Sequence, residues 1–282
     1  MSLLITALKL VPKNAFSRGV GEVLRAPWPR PVVRLAIGGF ARAYQVRSGE
    51  AEREPKDYRT FAEFFTRRLK SGLRPVAPGD DVAVSPVDGT VGEAGSIAGE
   101  TLVQAKGRRY TLAELLSDPN DARDYEGGTF ATLYLAPGDY HRIHAPLGGR
   151  ITGYTYVPGH LWPVNASGVQ EIDRLFAVNE RLVTHFETNA GKVALVQVGA
   201  TCVGRIRATF DDVVTNTARD RALRRVRYEQ PFDVAKGVEC GVFEMGSTVI
   251  ALFQQGRATL DGALVPGAPV RLGQPLAKTS LA

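Results

Sequence analysis

From about Asp81 to the C-terminus the chain is cut into short β-branched and aromatic runs by Gly, Pro and Asp turns: VGEAG, TFATLYLA, RITGYTYV, RLVTHFET, KVALVQVGATCVGRI and STVIALF. Such runs fit pleated surfaces and their spacing fits hairpins. With 30 Gly and 17 Pro among 282 residues, the pattern calls for a turn-rich β body rather than a helical bundle. Helices are expected mainly at the front. Thr60 can cap a helix over Phe61–Lys70 that stops at Gly72, Thr111–Asp118 reads as a helical insert, and the polar stretch Ser48–Thr60 reads as a linker. The expected fold is therefore α+β: a sandwich- or barrel-like β body behind N-terminal amphipathic helices. Its units are residues 1–48, 49–80 and 81–282.

One internal similarity refines this. SPVDGTVGE (Ser85–Glu93) aligns with APLGGRITG (Ala145–Gly153), matching Pro86 to Pro146, Gly89 to Gly149 and Val91 to Ile151. Two copies are too few for a solenoid and suit two equivalent hairpins of one sandwich or barrel. The closing VPGAPVRLGQPLAK has the turn spacing of carrier-domain hairpins, a fold-level analogy only. Asp88 in the first copy faces Gly148 in the second. A turn Asp ordinarily bonds its own backbone, so Asp88 is open to a structural or a chemical role.

Charge is concentrated at the front. Residues 1–48 carry eight basic side chains against one acid, leaving 27 basic and 28 acidic residues of the totals of 35 and 29 for the rest. Leu3, Leu4, Ala7, Leu8 and Val11 recur at helical spacing, as do Val32, Val33, Leu35, Ala36, Phe40 and Tyr44. Basic amphipathic helices with Phe16 and Trp28 between them fit an anionic membrane surface; equally they fit a cap packed on the body with its basic face solvated. Lys9 breaks the first apolar run and no A-x-A site follows, which argues against a secretory signal. No run approaches the roughly 20 apolar residues of a membrane span, so contact with a bilayer would be peripheral. Interleaving with apolar faces makes nucleic acid a weaker partner.

The stretch Cys240–Phe253, CGVFEMGSTVIALF, sets a puzzle: Gly246 and Ser247 interrupt a strand pattern just before its most apolar part. Glycine there signals a bend or a close backbone approach. Of four histidines, His141 and His144 lie together in APGDYHRIHAP, flanked by prolines that favour extended backbone. Neither they nor Cys202 and Cys240 form a recognised metal signature, and the cysteines read as buried thiols. Serine, histidine and aspartate suit nucleophilic chemistry better, with Ser247 as nucleophile, a histidine as base and Asp88 as orienting acid. No G-x-S-x-G elbow surrounds Ser247. A serine after glycine and before a buried strand is poorly placed for an external ester, and well placed for its own upstream carbonyl.

SPVDGTV, PGDYHRIHAP, LFAVNER, VGATCVG and KGVECGVFEMGSTVIALF, together with FFTRRLKSGLRPV, resemble the phosphatidylserine decarboxylase family in its longer bacterial, membrane-associated form, from about Leu8 to Leu276. The resemblance implies that Ser247 attacks the carbonyl of Gly246, cutting the chain into a β chain of residues 1–246 and an α chain of the last 36 residues. Elimination and hydrolysis would leave a pyruvoyl group at position 247. It implies a processing triad of Asp88, His144 and Ser247, with His141 serving decarboxylation. The pyruvoyl carbonyl, with no pyridoxal phosphate and no metal, would take the substrate amine as a Schiff base and act as electron sink. Phosphatidylserine would then become phosphatidylethanolamine and CO2 at the cytoplasmic face of the cell membrane. The cleaved chains would form a heterodimer that could pair further.

Met245 stands where leucine is common in that family, and Arg205 where a small residue is common; Arg205 is expected to face solvent. His160 in the LWPVN neighbourhood is expected at the surface, and His185 as an ordinary strand residue. Two other readings share the residues: a serine-triad hydrolase acting on an external ester, and a lipid-binding β-sandwich without catalysis.

Overall fold

The computed structural model describes residue 5 and residues 11–104, 108–201, 205–217, 222–244 and 247–280. Leu3, Leu4, Ala7 and Leu8 of the first apolar stripe, Cys202, Met245 and Gly246 lie outside the described residues.

Two helices open the described chain, α1 (Lys13–Arg25) and α2 (Arg30–Ala43), separated by the APWP break and with Pro29 before the first turn of α2. Next comes α3 (Phe61–Phe65), then strands β1 (Val82–Val84), β2 (Gly89–Ser96), β3 (Thr101–Gln104) and β4 (Arg108–Thr111). The short helices α4 (Leu112–Leu116) and α5 (Pro119–Arg123) lead into β5 (Thr129–Leu135), β6 (Arg142–His144) and β7 (Gly149–Val157). After α6 (Ala166–Glu171) and α7 (Leu175–Val178) the chain is β: β8 (Arg181–Thr188), β9 (Gly191–Val198), β10 (Ile206–Ala208), β11 (Arg224–Val234), β12 (Glu239–Phe243), β13 (Ser247–Phe253), β14 (Ala258–Leu260), β15 (Pro269–Val270) and β16 (Pro275–Thr279).

Eight strands form the main sheet in the order β11-β7-β8-β9-β13-β5-β2-β15, with antiparallel pairing throughout. Two three-stranded sheets, β1-β16-β14 and β10-β12-β6, and the β3-β4 hairpin complete the β structure; none closes into a barrel. β13 lies at the centre, and all seven of its residues are buried. That accounts for its unbroken apolar run. Val249, Ala251 and Phe253 enter a core shared with β1, β6, β12 and β16, whereas Ile250 and Leu252 enter a second core under α4, α7 and the β3-β4 hairpin. A strand covered on both faces has no polar side to alternate with.

The two similar segments are not the expected hairpins, because β1 and β2, like β6 and β7, pair in different sheets; their turns instead meet each other. Val84 donates its N–H to Pro146 O and His144 donates its N–H to Pro86 O, both at 2.9 Å, so each copy receives the strand that leads into the other. Gly89 and Gly149 open β2 and β7. A Cβ at Gly89 would sit 2.3 Å from Tyr134 O, which excludes any side chain where β2 meets β5.

The α3 helix is shorter than Phe61–Lys70. Thr60 caps it by accepting from Glu63 N, but the Thr66 hydroxyl closes on Ala62 O, and Leu69 pairs with Ala51 in extended form. Thr111 forms a full capping box with Glu114, and α4 ends at left-handed Ser117. The stretch Ser48–Thr60 is folded into two 3-10 turns and buries Ala51 and Tyr58.

Basic residues of the front helices divide. On α1 they turn inward: Lys13 lies 3.8 Å over the Trp162 ring, Arg18 bonds Asn216 and Arg25 bonds Glu244. On α2, Val33 and Ile37 pack on Tyr58 and Phe64, while Arg30, Arg34 and Arg42 share the outside with Val32 and Leu35. Leu35 is 79% exposed and the nearby Trp28 is 50% exposed.

Candidate active site

Ser247 is the first residue of β13 and pairs with Leu135, the last of β5; Thr248 pairs with Val198, the last of β9, which also pairs with Arg181, the first of β8. One end of the main sheet therefore gathers Ser247, the turn holding Asp88, and the loops after β5, β7 and β9. Two connections leave the sheet side by side there. β5 pairs with β13 in the main sheet and β6 pairs with β12 in the smaller one, so the segments β5-to-β6 and β12-to-β13 cross between the same two sheets at the same corner. His141 lies on the first crossing and Ser247 ends the second.

Ser247 is completely buried, and its Oγ has no hydrogen-bond partner, as is true of the neighbouring Thr248 Oγ1. Buried polar atoms are nearly always bonded. A hydroxyl left unpaired in the core is a group whose chemistry, rather than its packing, needs explaining.

Both nearby histidines are fixed through Nδ1. His141 Nδ1 is 2.9 Å from Asp139 O and His144 Nδ1 is 2.8 Å from Gly237 O. A carbonyl oxygen only accepts, so each Nδ1 carries the proton and each Nε2 presents a lone pair. The Tyr140 hydroxyl donates to His144 Nε2 at 3.3 Å, whereas His141 Nε2 is buried without a partner. Burial pulls His141 down to about 3, partly offset by its bond to Asp139 O, with the Arg67 charge lowering it further. Burial likewise holds His144 below the ordinary imidazole value, against the opposing bond to Gly237 O. Both rings are neutral bases at neutral pH. Phe65 packs on His141 with ring centroids 4.1 Å apart.

Asp88 is buried and accepts from Arg74 Nε at 2.9 and 3.0 Å, from Arg74 Nη2 at 2.6 Å and from Leu272 N at 2.9 Å. Its turn is tied to β6 through Pro86 O, and its charge acts on His144. The residues of the expected triad are not hydrogen-bonded to one another: Asp88, in the turn before β2, is held by Arg74; His144, on β6 of the smaller sheet, by Gly237 and Tyr140; and Ser247 Oγ has no hydrogen-bond partner among the described residues.

Sequence reasoning missed the cations here. Arg67 is 4% exposed; its Nη2 donates to Gly138 O and Asp139 O, while Nε and Nη1 are unpaired. Asp139 accepts from Ala136 N at 2.8 Å, and burial raises its carboxyl above the usual range. Arg67, Arg74, Asp88, Asp139 and Tyr140 line a cavity of about 220 Å3 together with Tyr44 at the end of α2. Gly138 makes that closeness possible, since a Cβ there would lie 2.4 Å from Tyr44 O. In the FFTRR and GLRPV segments nothing about neighbouring residues sets Arg67 and Arg74 apart from other arginines; their burial does.

Helix α1 lies over the same end. Asn14 donates to Gly159 O at 3.0 Å, and a cavity of about 480 Å3 beneath it is lined by Lys13, Arg18, Tyr156, His160, Glu180 and Asn216. Arg25 reaches Glu244, three residues before Ser247, at 2.7 Å. Arg205, expected to face solvent, instead pairs with Glu22 of α1 at 3.1 Å, because α1 covers this surface. His160 is exposed, and His185 is a buried strand residue bonded to Thr155 Oγ1. Among the described residues no group of three or more His, Cys, Asp or Glu is gathered that could hold a metal ion, and no helix is long and apolar enough to cross a membrane.

Comparison with known proteins agrees over nearly the full chain. The sequence pattern of the phosphatidylserine decarboxylase family matches residues 61–278. The chain is 54% identical over 275 residues to a phosphatidylserine decarboxylase proenzyme of Anaeromyxobacter sp. (strain K), covering 97% of both proteins. It is 52% identical over 267 residues to that of Myxococcus xanthus, covering 95% of each, and 44% identical over 274 residues to that of Brevibacillus brevis, covering 95% and 94%.

Proposed function

The chain belongs to the phosphatidylserine decarboxylase family, and from that premise we propose that it is a proenzyme that makes its own catalytic group by cutting itself between Gly246 and Ser247. The observation that carries this reading is the burial of Ser247: a nucleophile with no exposed surface and no hydrogen-bond partner among the described residues is closed to an external ester, whereas the carbonyl carbon of the preceding residue is bonded to its own nitrogen and reached by closing a five-membered ring. This favours self-cleavage over hydrolysis of an external substrate.

The steps follow from the side chains. His144 Nε2 takes the Ser247 hydroxyl proton as Oγ adds to the Gly246 carbonyl carbon, and the peptide C–N bond breaks as the nitrogen gains a proton, leaving an ester. Loss of the Cα proton then expels the Gly246 carboxylate from Cβ. The resulting dehydroalanine takes up water and loses ammonia, which leaves a pyruvoyl group at position 247. Asp88 supports the imidazolium formed in the first step. The pyruvoyl group would fit the position because it removes the unpaired hydroxyl and, though it lacks the N–H of residue 247, leaves the pairing of Thr248–Phe253 with β5 and β9 intact. When formed, it supplies the electron sink that loss of CO2 from an amino acid requires. His141, whose Nε2 lone pair is bare at the same corner, is the group for proton transfer during decarboxylation.

Phosphatidylserine is confined to a bilayer, and α2 offers a fitting contact: Trp28, Val32 and Leu35 are exposed beside Arg30, Arg34 and Arg42. We read this face as a peripheral membrane contact. The decisive experiment is the intact mass of the purified chain. Two fragments, with the smaller blocked at its N-terminus and reactive to carbonyl reagents, are expected; a single unmodified chain after prolonged incubation would overturn self-processing.

A further inference from the structure

Asp88 does not stand alone in the fold. Arg74 spans it with Nε on both carboxylate oxygens at 2.9 and 3.0 Å and Nη2 on Oδ2 at 2.6 Å, and the same Nη2 reaches Glu50 Oε2 at 2.6 Å. The side chains of Arg74 and Asp88 are 7% and 9% exposed, so water screens the cluster little. Arg47 also pairs with Glu50, at 3.8 Å, so two guanidinium groups face the two carboxylates. A planar fork on a carboxylate also fixes its orientation, which a lysine in the same place would not.

We propose that Arg74 is a positioning residue of self-cleavage: it locks the Asp88 carboxylate, with Glu50 behind it, in one fixed orientation from which its charge acts on His144, so that the imidazolium formed when Ser247 is deprotonated is stabilised without movement of the acid. This rests on the reading of Asp88, His144 and Ser247 given above, and adds the group that makes Asp88 usable. Two effects of removing Arg74 oppose one another. The cluster would become more negative, which favours an imidazolium, yet Asp88 would lose three of its four hydrogen bonds and its fixed place. Positioning dominates, because a preorganised charge acts without reorganisation while a mobile one in a partly wet cavity turns toward water.

The test follows self-cleavage by intact mass in Arg74→Gln, Arg74→Lys, Arg74→Ala and Glu50→Gln. Arg74→Gln should slow cleavage by between roughly tenfold and a hundredfold, the range for loss of a side chain that orients a functional one. Arg74→Lys should be intermediate, Glu50→Gln should slow cleavage less, and millimolar methylguanidinium should restore part of the rate to Arg74→Ala without affecting the unsubstituted chain. Thermal unfolding of the same substitutions in a Ser247→Ala background establishes folding, and Arg74→Lys takes the place of any variant that fails to fold. Cleavage at the original rate or faster in folded Arg74→Gln, or in Arg74→Lys if that variant does not fold, overturns the proposal; so does a folded, slow Arg74→Ala that methylguanidinium leaves unchanged. Asp88→Asn separates the two readings. If it cleaves normally the acid assignment itself fails, whereas a blocked Asp88→Asn beside an unaffected Arg74→Gln removes only the positioning role.

Discussion

Phe243 donates its backbone N–H to the carbonyl of His141 at 2.9 Å, so the strand that leads to Ser247 is bonded directly to the segment carrying both histidines. The corner joins two histidines of different surroundings. His144 Nε2 meets a tyrosine hydroxyl, while His141 Nε2 meets nothing.

On the proposed roles, the two histidines serve different reactions. His144→Ala is expected to leave the chain uncut, with cleavage slowed by the 10²- to 10⁴-fold typical of a lost general base, roughly. His141→Ala should still cut itself yet turn over phosphatidylserine poorly. Gel analysis beside CO2 release from detergent-dispersed substrate checks both, and equal turnover by His141→Ala would end the division of labour.

Self-cleavage should tolerate mild acid. Burial lowers His144 below 6.5, so its basic form persists to lower pH than in a free imidazole, and the acid limb of the cleavage rate should lie below pH 6.5. Rates of the freshly refolded proenzyme between pH 5 and 8, about the range where histidines ordinarily titrate, give the answer. A limb centred at or above 6.5 would point to a base other than a buried histidine.

Folding stability should decline over the same interval. His141 titrates at about 3 and His185 at about 4 in the fold, against 6.5 for an unperturbed histidine. Depressed values mean that the unfolded chain binds more protons, so stability is complete above about pH 6.5 and is lost as pH falls toward 4. Urea midpoints of the Ser247→Ala chain should fall across that window, and His185→Asn should flatten the slope.

Arg181 is the largest of the fully buried side chains. It donates to Leu115, Ala177, Asn179 and Glu114 carbonyls and to Ser117 Oγ, gathering the exposed ends of α4 and α7 onto β8. Arg181→Met would leave these acceptors unpaired and should cost about 3 kcal/mol or more in urea unfolding.

The outer face of α2 can be tested without touching the site. Leu35→Asp should weaken pelleting with anionic vesicles by roughly tenfold, the equivalent of losing one inserted aliphatic side chain. Self-cleavage in detergent should not change. Undiminished vesicle binding would assign the contact elsewhere.

Much of this was legible in the residues, for physical reasons. The unbroken Val249–Phe253 run marked a buried strand, and the similar PVDG and PLGG turns are indeed equivalent, but not as hairpins: each carries the chain from a small sheet into the main one, and the two meet through Pro86 and Pro146. Thr60 caps its helix as its neighbours suggested, and a helix does form at the start of the Thr111–Asp118 insert. What could not be read was burial of charge. Arg67, Arg74 and Arg181 resemble surface arginines in sequence, because what buries them is carbonyls and carboxylates brought from distant segments. Helix α1 was hidden by Gly19 and Gly21 within it, and its basic residues turn toward the body because Glu244, Asn216 and the Trp162 ring await them.

The central place of β13 carries a consequence for refolding. Once residues 247–282 are severed, their strands still lie between β9 and β5, between β1 and β14, and against β2. A segment of 36 residues is below the length at which a chain ordinarily builds a core of its own, about 40. The uncut chain can therefore find its structure as one molecule, whereas denatured cut fragments would have to find each other first. If the chain matures as proposed, assembly would be a one-way event: covalent connection would serve as an internal template discarded after use, and activity lost to unfolding should not return on dilution.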